Sequence, residues 1–486
     1  MNNKAQIKKN IKQALFDKLG CIQGVISVTL VGSFVNQRDL SGISDIDTIV
    51  ICKSLDKKLF DTCMSAVNNI DLKKCGLNNY TLKINSSFGP LKFDEPNLAV
   101  IHLMIYDINA HKHHVLASPF TCFDWERSET IEGPSLKEIF PIGALQFRDF
   151  VEVRRSMENY IDDLSNNVIS YREYSFKNGK VTETKKSKSL DKRHRGEYAY
   201  HIIRNLIVNY LKLCSGKNKS YSNEQVETEI KRLLPETGGE HAKRFDTITR
   251  IKAKRKNDFP ANTTEWTKTF LAEFQKGITN EWSEAMPIQF IRHYKTNLND
   301  GTYLGQGRDP GINIINKQMH CNIIDKIYSS PLKRCIETVE YIFTDSEIIT
   351  DERLFEFNYG KAEGLSYKQL VMEYPEVSVA WQNSKDPNFP EGENTKDVNK
   401  RLNSFLNDLS HIIINNPKVS IGVVTHNGIL RCLLGNAFGL EMKEWYKLTI
   451  PHGVLLEFLF FQNRFYPNIP RTLWTNILQN IGYSIA

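Results

Sequence analysis

The chain lacks the features that mark secreted and membrane-bound proteins. Its nine cysteines are scattered, with no CxxC pair and no Cys/His spacing typical of a zinc site. No run of about 18 apolar residues occurs, so no membrane-spanning helix is expected. The N-terminus leads into a polar, lysine-rich helix, so no signal peptide is predicted. We therefore expect a cytoplasmic protein whose cysteines are reduced thiols.

The chain also lacks a strong excess of one charge. Its 63 Lys and Arg residues exceed its 56 Asp and Glu residues by only seven over 486 residues. This mild positive balance fits an anionic substrate, and by itself it does not indicate a nucleic-acid partner. A hydrophobic content of 41% is ordinary for a globular protein, and the length suffices for two or three domains.

The pattern of apolar residues changes twice along the chain. Residues 1–130 combine a leading helix with three β-branched runs, which predicts a small α/β domain. Residues 131–284 have mostly helical periodicity, which predicts an α-helical domain. In residues 285–486, short apolar strands alternate with helices, which predicts a three-layer α/β/α domain with a largely parallel sheet. The predicted strands are 25–31, 46–52, 98–106, 288–291, 323–328, 419–425 and 454–461.

Two polar segments are interpreted as exposed. Residues 176–195 are rich in Lys, Ser and Thr and predict an exposed loop. Their basic side chains are interpreted as solvated, with contact to an anionic ligand or RNA as the alternative. His111, His113 and His114 have no nearby cysteine or acid, so an exposed turn is favoured over a metal site.

Arg292 and His293 end the first apolar run of the last domain, and residues of related chemistry follow in order. Arg334 closes a Ser-Ser-Pro-Leu-Lys-Arg segment, and Glu356 and His426 come later. A neutral imidazole can attack a phosphoryl group whose charge arginines hold, while a carboxylic acid protonates the leaving oxygen. Arg292-His293 alone could be a structural pair, but the ordered set favours catalysis.

These motifs resemble those of the histidine phosphatase superfamily, the phosphoglycerate-mutase-like group. Residues 292–299 match its Arg-His-Gly-x-Thr-x-x-Asn motif, with Tyr294 in place of the glycine and Lys295 after it. The resemblance implies that His293 is the nucleophile and Glu356 the general acid of a reaction that needs no metal or other cofactor. The phosphate-binding residues that it implies are Arg292, Asn299, Arg334 and His426.

The resemblance leaves the reaction and the substrate open. A phosphorylated small molecule is the expected substrate, and hydrolysis is favoured over mutase activity because a mutase needs extra structure to shield its phosphohistidine from water. A domain that binds phosphate without reacting is a further alternative. Tyr294 is the residue at which we expect an unusual substrate preference to originate.

The first domain carries a second phosphate-related pattern. Gly32 and Ser33 follow the first strand, and Asp45 and Asp47 lie on one face of the next strand. Two carboxylates on one face suit divalent cations that bind nucleotide phosphates. The pattern resembles the polymerase-β-type nucleotidyltransferase superfamily. It implies Gly32 and Ser33 as nucleotide-binding residues, Asp45 and Asp47 as Mg²⁺ ligands, and a nucleoside triphosphate as substrate.

One residue of this second pattern departs from the family. The family carries a third carboxylate in the middle of a later strand, and the matching strand has His102 there. The first domain therefore either transfers a nucleoside monophosphate to an unknown acceptor or is a nucleotide-sensing module that regulates the phosphatase. A pair of opposed adding and removing activities is a third interpretation. The nucleotide, the acceptor and the oligomeric state stay open.

Overall fold

The structure of the protein is a computed structural model. It describes residues 3–36, 45–91, 93, 95–118, 128–141, 145–151, 156–216, 219–254, 258–313, 324–343, 346–383 and 385–483. The chain divides into two compact units: Met1–Glu281 with Gly482–Ala486, and Trp282–Ile481. The predicted division into three parts, with boundaries after residues 130 and 284, stays a prediction.

The first unit contains a five-stranded mixed sheet in the order β3-β4-β2-β1-β5. Strands β2, β3 and β4 are parallel, and β1 runs antiparallel to both β2 and β5. The three strands predicted for this region are present, whereas β3 and β5 were not predicted. The strands are β1 (Val25–Val31), β2 (Ile46–Cys52), β3 (Thr81–Asn85), β4 (Leu98–Asp107) and β5 (Glu129–Glu132).

The residues buried in the core of this sheet are set by the alternation of side chains along its strands and by the helical period of its helices. Val28 and Leu30 point to the same side of β1 and are fully buried. Leu15 and Leu19, four residues apart on the helix Asn3–Leu19, are also fully buried in this core. The helix Lys57–Asn68 packs against the first helix and begins at Asp56, whose side chain accepts a 2.8 Å hydrogen bond from the Leu59 N–H.

The segment predicted as an exposed loop, residues 176–195, is exposed for most of its length but is not a loop. It contains the end of β6 (Val168–Lys177) and all of β7 (Lys180–Ser189), which pair as an antiparallel hairpin. Asn178 and Gly179 form its two-residue turn, with φ angles of 52° and 76°. The Asn-Gly pair is the sequence signal for this turn, so the loop prediction was wrong because it weighed polarity above turn chemistry.

The expectation that His111, His113 and His114 lie on an exposed turn was also wrong. They lie on the helix Ile108–Ala117, which Asp107 caps by accepting a 2.7 Å hydrogen bond from the Ala110 N–H. His111 is fully buried because helical periodicity places it on the inward face with Val115. His113 lies on the exposed face.

The rest of the first unit is largely helical, in agreement with the periodicity of its sequence. Its longest helix is Lys192–Ser215, where Ile202, Leu206 and Tyr210 are fully buried on one face. The other helices described in this unit are Ser33–Asn36, Leu136–Ile139, Phe147–Val151, Ser156–Asn166, Asn223–Leu233, Gly238–Ala253 and Thr263–Glu281.

The second unit contains a six-stranded sheet in the order β10-β9-β11-β8-β12-β13. Strands β10, β9, β11 and β8 are parallel, and β12 and β13 add an antiparallel hairpin beside β8. The prediction of a largely parallel sheet is therefore confirmed. The strands are β8 (Met286–Arg292), β9 (Lys326–Ser329), β10 (Glu347–Thr350), β11 (Ile421–Thr425), β12 (Leu455–Phe461) and β13 (Arg464–Pro467).

Helices pack on this sheet, and its strand order places the functional residues together. The helix Lys333–Ile342 packs on β9 and β11 through a core that includes Cys335, Val339 and Val424. In β8 and β11, Arg292 pairs with Thr425, so both strands end at the same edge. The other helices of this unit are Tyr367–Glu373, Pro375–Gln382, Thr395–Asn415, Asn427–Ala437, Met442–Trp445 and Arg471–Leu478.

Across the described residues of both units, no helix combines the length and the hydropathy that crossing a membrane requires.

Candidate active site

The carboxyl ends of β8 and β11 bring the two predicted active-site histidines together. His293 follows the last residue of β8, and His426 follows the last residue of β11. Because these parallel strands are neighbours, the two imidazole rings lie 5.1 Å apart between centroids. Both side chains are buried, with exposures of 2% and 0%.

Hydrogen bonding fixes the tautomer of His293. Its Nδ1 lies 2.6 Å from the carbonyl oxygen of Tyr294, so Nδ1 carries the proton and donates it. Burial and then the charges of Arg334 and Arg292 lower the pKa of His293 well below its usual value. The ring is therefore neutral near pH 7, with an unprotonated Nε2, which is the state of an imidazole nucleophile.

Hydrogen bonding fixes His426 in the opposite tautomer to that of His293. Its Nδ1 accepts a 3.3 Å hydrogen bond from Nε of Arg334, so its Nε2 carries the proton and lies 2.8 Å from the hydroxyl of Ser330. Burial and the Arg334 charge lower the pKa of His426 well below its usual value. His426 is thus a neutral donor beside the neutral acceptor His293.

Arg334 is fully buried and is held by the loop before β9. It donates to the carbonyl oxygens of Gly305 and Arg308 at 2.7 and 3.0 Å, and it pairs with Asp309 at 3.2 Å. Three such partners fix the planar guanidinium in one orientation. Its charge therefore acts on both histidines from a fixed position.

Glu356 lies beside the N-terminus of the helix that follows His426. Its Oε1 accepts hydrogen bonds from the N–H groups of Phe357 at 2.9 Å and Gly428 at 3.0 Å. The side chain is 7% exposed, and a Cβ on Gly428 would lie 2.4 Å from Oε1. Glycine at this position thus allows the carboxyl group to approach the helix.

Asn299 and Tyr294 both make local contacts beside His293 in the sequence. The side-chain oxygen of Asn299 accepts hydrogen bonds from the backbone N–H and the hydroxyl of Thr296, at 2.8 and 3.1 Å, so it closes a local turn. The Tyr294 ring packs edge-on against Tyr341 at 5.5 Å, and a Cβ on Gly453 would lie 2.7 Å from it. The structure thus engages both side chains in local packing.

The predicted cluster of the first unit is also brought together. Asp47 on β2 pairs with His102 on β4, and its Oδ1 lies 2.9 Å from Nδ1 of His102. Asp45 is buried, and one ligand atom from each of these three residues lies within 4.8 Å of the others. Among the described residues, this is the group of at least three His, Cys, Asp or Glu side chains that could hold a metal ion.

Gly32 and Ser33 lie directly beside this cluster. Val31 pairs with Asp47, and a Cβ on Gly32 would lie 2.6 Å from Oδ2 of Asp47. Gly32 has a φ of 73°, which a side chain would disfavour, so glycine suits this close approach. Ser33 begins the short helix Ser33–Asn36.

His102 lies on β4, the strand in which the resemblance predicts a third carboxylate. Its Nε2 lies 2.7 Å from the carbonyl oxygen of Ser87 and must donate its proton there. Burial opposes its charge, but the hydrogen bond and charge of Asp47 raise its pKa above the usual value. Two other acids, Asp94 and Asp107, lie near the ends of this strand in the sequence. Asp107 pairs with Cys52 at the far end of β4, where it caps a helix. Asp94 lies outside the described residues.

Comparison with known families decides the identity of the second unit. Residues 288–467 match the family model of the histidine phosphatase superfamily, branch 1. These residues include His293, Arg334, Glu356 and His426, which the fold has gathered at the edge of the sheet. Residues 288–467 form a histidine phosphatase superfamily domain.

The relatives of the histidine phosphatase domain cover only part of the chain. It is 26% identical to phosphoserine phosphatase 1 of Hydrogenobacter thermophilus, over 32% of this chain and 78% of that protein. It is 29% identical to phosphoglycerate mutase-like protein 4 of Arabidopsis thaliana, over 32% and 66%. The match to fructose-2,6-bisphosphatase of Saccharomyces cerevisiae is 26% identical, over 27% of each protein. The chain thus spans from about a quarter to about three quarters of these relatives' lengths.

Solved structures also resemble this domain at low identity. Mycobacterial glucosyl-3-phosphoglycerate phosphatase is 19% identical with a TM-score of 0.32, over 38% of this chain and 98% of that one. The α-ribazole phosphatase of Shigella flexneri is 21% identical with a TM-score of 0.33, over 38% and 97%.

His452 of the histidine phosphatase domain was not predicted from the sequence as a functional residue. Its Nε2 accepts a 3.0 Å hydrogen bond from Arg292, and its Nδ1 lies 3.3 Å from the carbonyl oxygen of His293. Burial and the Arg292 charge lower its pKa to about 4, so it is a neutral acceptor. The Pro-His-Gly segment before β12 was the available signal, because β12 pairs with β8 and places this loop beside His293.

A second missed feature of the histidine phosphatase domain is an aromatic cavity of about 310 Å³. Phe357 and Gly428, the two residues whose N–H groups bind Glu356, form part of its lining. Arg431 also lines it, four residues after Asn427 on the same helix. Tyr294 is not among the lining residues, so the residue expected to set the substrate preference lies outside this cavity.

Proposed function

We propose that the second unit is a phosphomonoesterase that works through a phosphohistidine on His293. The observation that carries this proposal is the pair of opposed tautomers. His293 presents an unprotonated Nε2, while His426 presents an N–H, and both lie beside the fixed charge of Arg334. A neutral nucleophile beside donors and a fixed cation is the arrangement that phosphoryl transfer to histidine needs.

The reaction proceeds in two balanced steps. In the first step, Nε2 of His293 bonds to phosphorus while the ester P–O bond breaks, and Glu356 gives its proton to the leaving oxygen. In the second step, Glu356 takes a proton from water, whose oxygen attacks phosphorus and releases His293 and inorganic phosphate. Arg292, Arg334, His426 and Asn299 hold the oxygens of the transferring group.

Hydrolysis of p-nitrophenyl phosphate by two variants tests this assignment. His293→Ala should reduce kcat/KM by at least about 1,000-fold because it removes the nucleophile. His411→Ala, which changes an exposed histidine of the same unit, serves as the matched control and should retain the wild-type rate. Hydrolysis should persist in EDTA, since no protein group in the two steps needs a metal ion. Survival of the rate in His293→Ala would exclude the assignment.

We propose a second function for the first unit: metal-dependent transfer of a nucleoside monophosphate from a nucleoside triphosphate to an acceptor. The observation that favours it is the grouping of Asp45, Asp47 and His102 beside Gly32. The carboxylates fit Mg²⁺, whereas an imidazole ligand also fits Mn²⁺. A bound cation would neutralise triphosphate charge there, and the Gly32-Ser33 backbone would contact the phosphates.

His102 is the residue on which the choice between transfer and sensing depends in this proposal, because a third carboxylate would support transfer. Two acceptors cannot face each other at 2.9 Å, so either a proton or a cation satisfies the contact between Nδ1 and Asp47. The wild-type protein should transfer label from an α-labelled nucleotide to an acceptor, in Mg²⁺ and in Mn²⁺. The Asp45→Asn/Asp47→Asn variant should transfer no label. Binding of the nucleotide without release of pyrophosphate would instead support the sensing module, and labelling by the double variant would exclude the metal site.

A further inference from the structure

The aromatic cavity of the histidine phosphatase domain lies on the leaving-group side of the proposed reaction. Glu356 protonates the leaving oxygen in that reaction, and its Oε1 is bound by the N–H groups of Phe357 and Gly428 at 2.9 and 3.0 Å. Both residues line the cavity. A group attached to the oxygen that Glu356 protonates would therefore lie next to this space.

The walls of the cavity are aromatic to an unusual degree. Eight of its fourteen lining residues are Tyr, Phe or Trp. Phe357 and Tyr359 stack with ring centroids 5.1 Å apart and planes within 9°, and Phe389 meets Tyr359 edge-on at 4.9 Å. Such packing fixes flat faces and edges in place, so the cavity is preformed for a flat ring rather than for a flexible chain.

Further aromatic side chains of the lining are exposed to solvent. Tyr367 and Tyr446 are 56% and 53% exposed, and each lies nearly parallel to Trp381, at 6.1 and 6.3 Å. Large aromatic side chains exposed together around a concave site are typical of ligand-binding surfaces. These three rings offer stacking faces to a ligand that enters the cavity.

Arg431 and Asp386 are the charged residues of the described lining, and the Asp386 carboxylate is already bound by the N–H groups of Thr395 and Lys396 at 3.0 Å. The Arg431 Nε donates to the carbonyl oxygen of Leu448 at 3.0 Å, and burial lowers the pKa of the guanidinium. A buried guanidinium favours a ligand with an acceptor or an anionic group. It also opposes a quaternary ammonium group, the other ligand that aromatic cages bind, because two cations would then share a desolvated site.

We propose that the leaving group of the substrate carries a flat aromatic ring with a hydrogen-bond acceptor for Arg431. This proposal rests on the proposed phosphatase function and names its substrate class. Nucleoside and phenolic phosphomonoesters share this chemistry, whereas phosphoserine and phosphoglycerate lack the ring. A cavity of about 310 Å³ has room for one such ring system.

Three alkyl phosphates separate the effect of the ring from that of leaving-group acidity. Benzyl, cyclohexylmethyl and ethyl phosphate all release primary alcohols, and only the first presents a flat aromatic ring. We expect kcat/KM for benzyl phosphate to exceed that for ethyl phosphate by at least about 10-fold and that for cyclohexylmethyl phosphate by at least about 3-fold, since aromatic contacts contribute about 0.5–1.5 kcal/mol beyond area burial. Thymidine 5′-monophosphate and phosphotyrosine then distinguish the nucleoside from the phenolic source.

Variants of the exposed tyrosines connect this preference to the cavity. Tyr367→Leu/Tyr446→Leu should reduce the benzyl-to-ethyl ratio of kcat/KM by about 3- to 10-fold. Tyr80→Leu is the matched control, because Tyr80 is 45% exposed, lies in the other unit and should leave the ratio unchanged. Equal kcat/KM for all three esters, or a ratio unaffected in the double variant, would overturn the substrate class while leaving the phosphatase function intact. Failure to hydrolyse any of the esters would overturn both.

Discussion

His452 shows how one residue outside the recognised motifs can orient a functional side chain. It accepts a hydrogen bond from Arg292, and its other ring nitrogen lies 3.3 Å from the carbonyl oxygen of His293. Arg292 also donates to the carbonyl oxygen of Ile450. Burial lowers the pKa of Arg292 to about 10, which shows that its charge is costly to bury. Hydrogen bonds that hold the guanidinium in one orientation offset part of this cost. We therefore infer that His452 is a positioning residue for Arg292.

Substitution of His452 tests this role. His452→Ala should reduce kcat/KM for p-nitrophenyl phosphate by about 10- to 100-fold, because a hydrogen bond to a charged group contributes about 1.5–3 kcal/mol. His452→Gln should recover part of the loss, since its amide oxygen can accept from Arg292. His411→Ala gives the baseline for an exposed histidine of the same unit. Identical rates in His452→Ala and His452→Gln would count against an orienting hydrogen bond.

At the residue scale, the sequence predicts chemical types better than contacts. The ordered motifs predicted that His293, Arg334 and His426 would come together, and the strand order explains why they do. The motifs could not show that the Asn299 oxygen binds Thr296 or that Tyr294 packs on Tyr341. Those contacts depend on tertiary packing, which no local pattern encodes.

The hairpin of β6 and β7 shows which local signals decide an element. Its second strand, β7, carries a single apolar residue, Val181, so the strand periodicity there is weak, and the turn is set by two residues with positive φ. Asn and Gly tolerate that conformation better than other residues do, which makes this pair the informative signal. The strands at 25–31 and 46–52 were predictable because β-branched residues fill their buried positions.

A pair of glycine substitutions tests the importance of this turn. Gly179→Ala should lower the free energy of unfolding by about 1–2 kcal/mol, because φ is 76° there while a Cβ would meet nothing within 4 Å. Gly239→Ala, in a helix and with equally open space, should raise it by up to about 1 kcal/mol. Urea unfolding of both variants measures the two changes. If both variants changed the free energy of unfolding in the same direction, backbone conformation would not determine the effect at Gly179.

At the scale of the whole molecule, both units bury neutral histidines. Burial lowers the pKa of His111 in the first unit to about 4, and it lowers those of His293 and His426 in the second unit well below the usual value. The unfolded chain protonates these residues near pH 6.5, while the folded protein does not. Stability is therefore full above about pH 6.5 and decreases as the pH falls toward the folded pKa.

The pH dependence of unfolding checks this expectation in the first unit. Between pH 6.5 and 4, each such histidine should reduce the free energy of unfolding by about 1.4 kcal/mol per pH unit. His111→Gln should flatten the dependence by up to that amount, whereas His113→Gln, on the exposed face of the same helix, should not. Equal slopes in the two variants would mean that His111 does not carry the effect.

The two-unit organisation also limits what the sequence could establish about function. The histidine phosphatase domain has an ordered set of motifs and a matching family model, which together identify its family. The first unit has two short motifs, with His102 where a carboxylate was expected. Its transfer and sensing interpretations differ in whether the bound nucleotide reacts, which the order of residues along the chain does not encode.

Trapping of the covalent intermediate tests the central claim most directly. Wild-type protein, mixed briefly with a ³²P-labelled phosphomonoester and quenched in alkali, should carry label that is stable to base and released by acid, and peptide mapping should place it on His293. The Glu356→Gln variant should acquire label from an alkyl phosphate more slowly than the wild type, because protonation of the leaving oxygen is lost. Label on another residue, or hydrolysis without any protein-bound label, would contradict the assignment of His293 as the nucleophile.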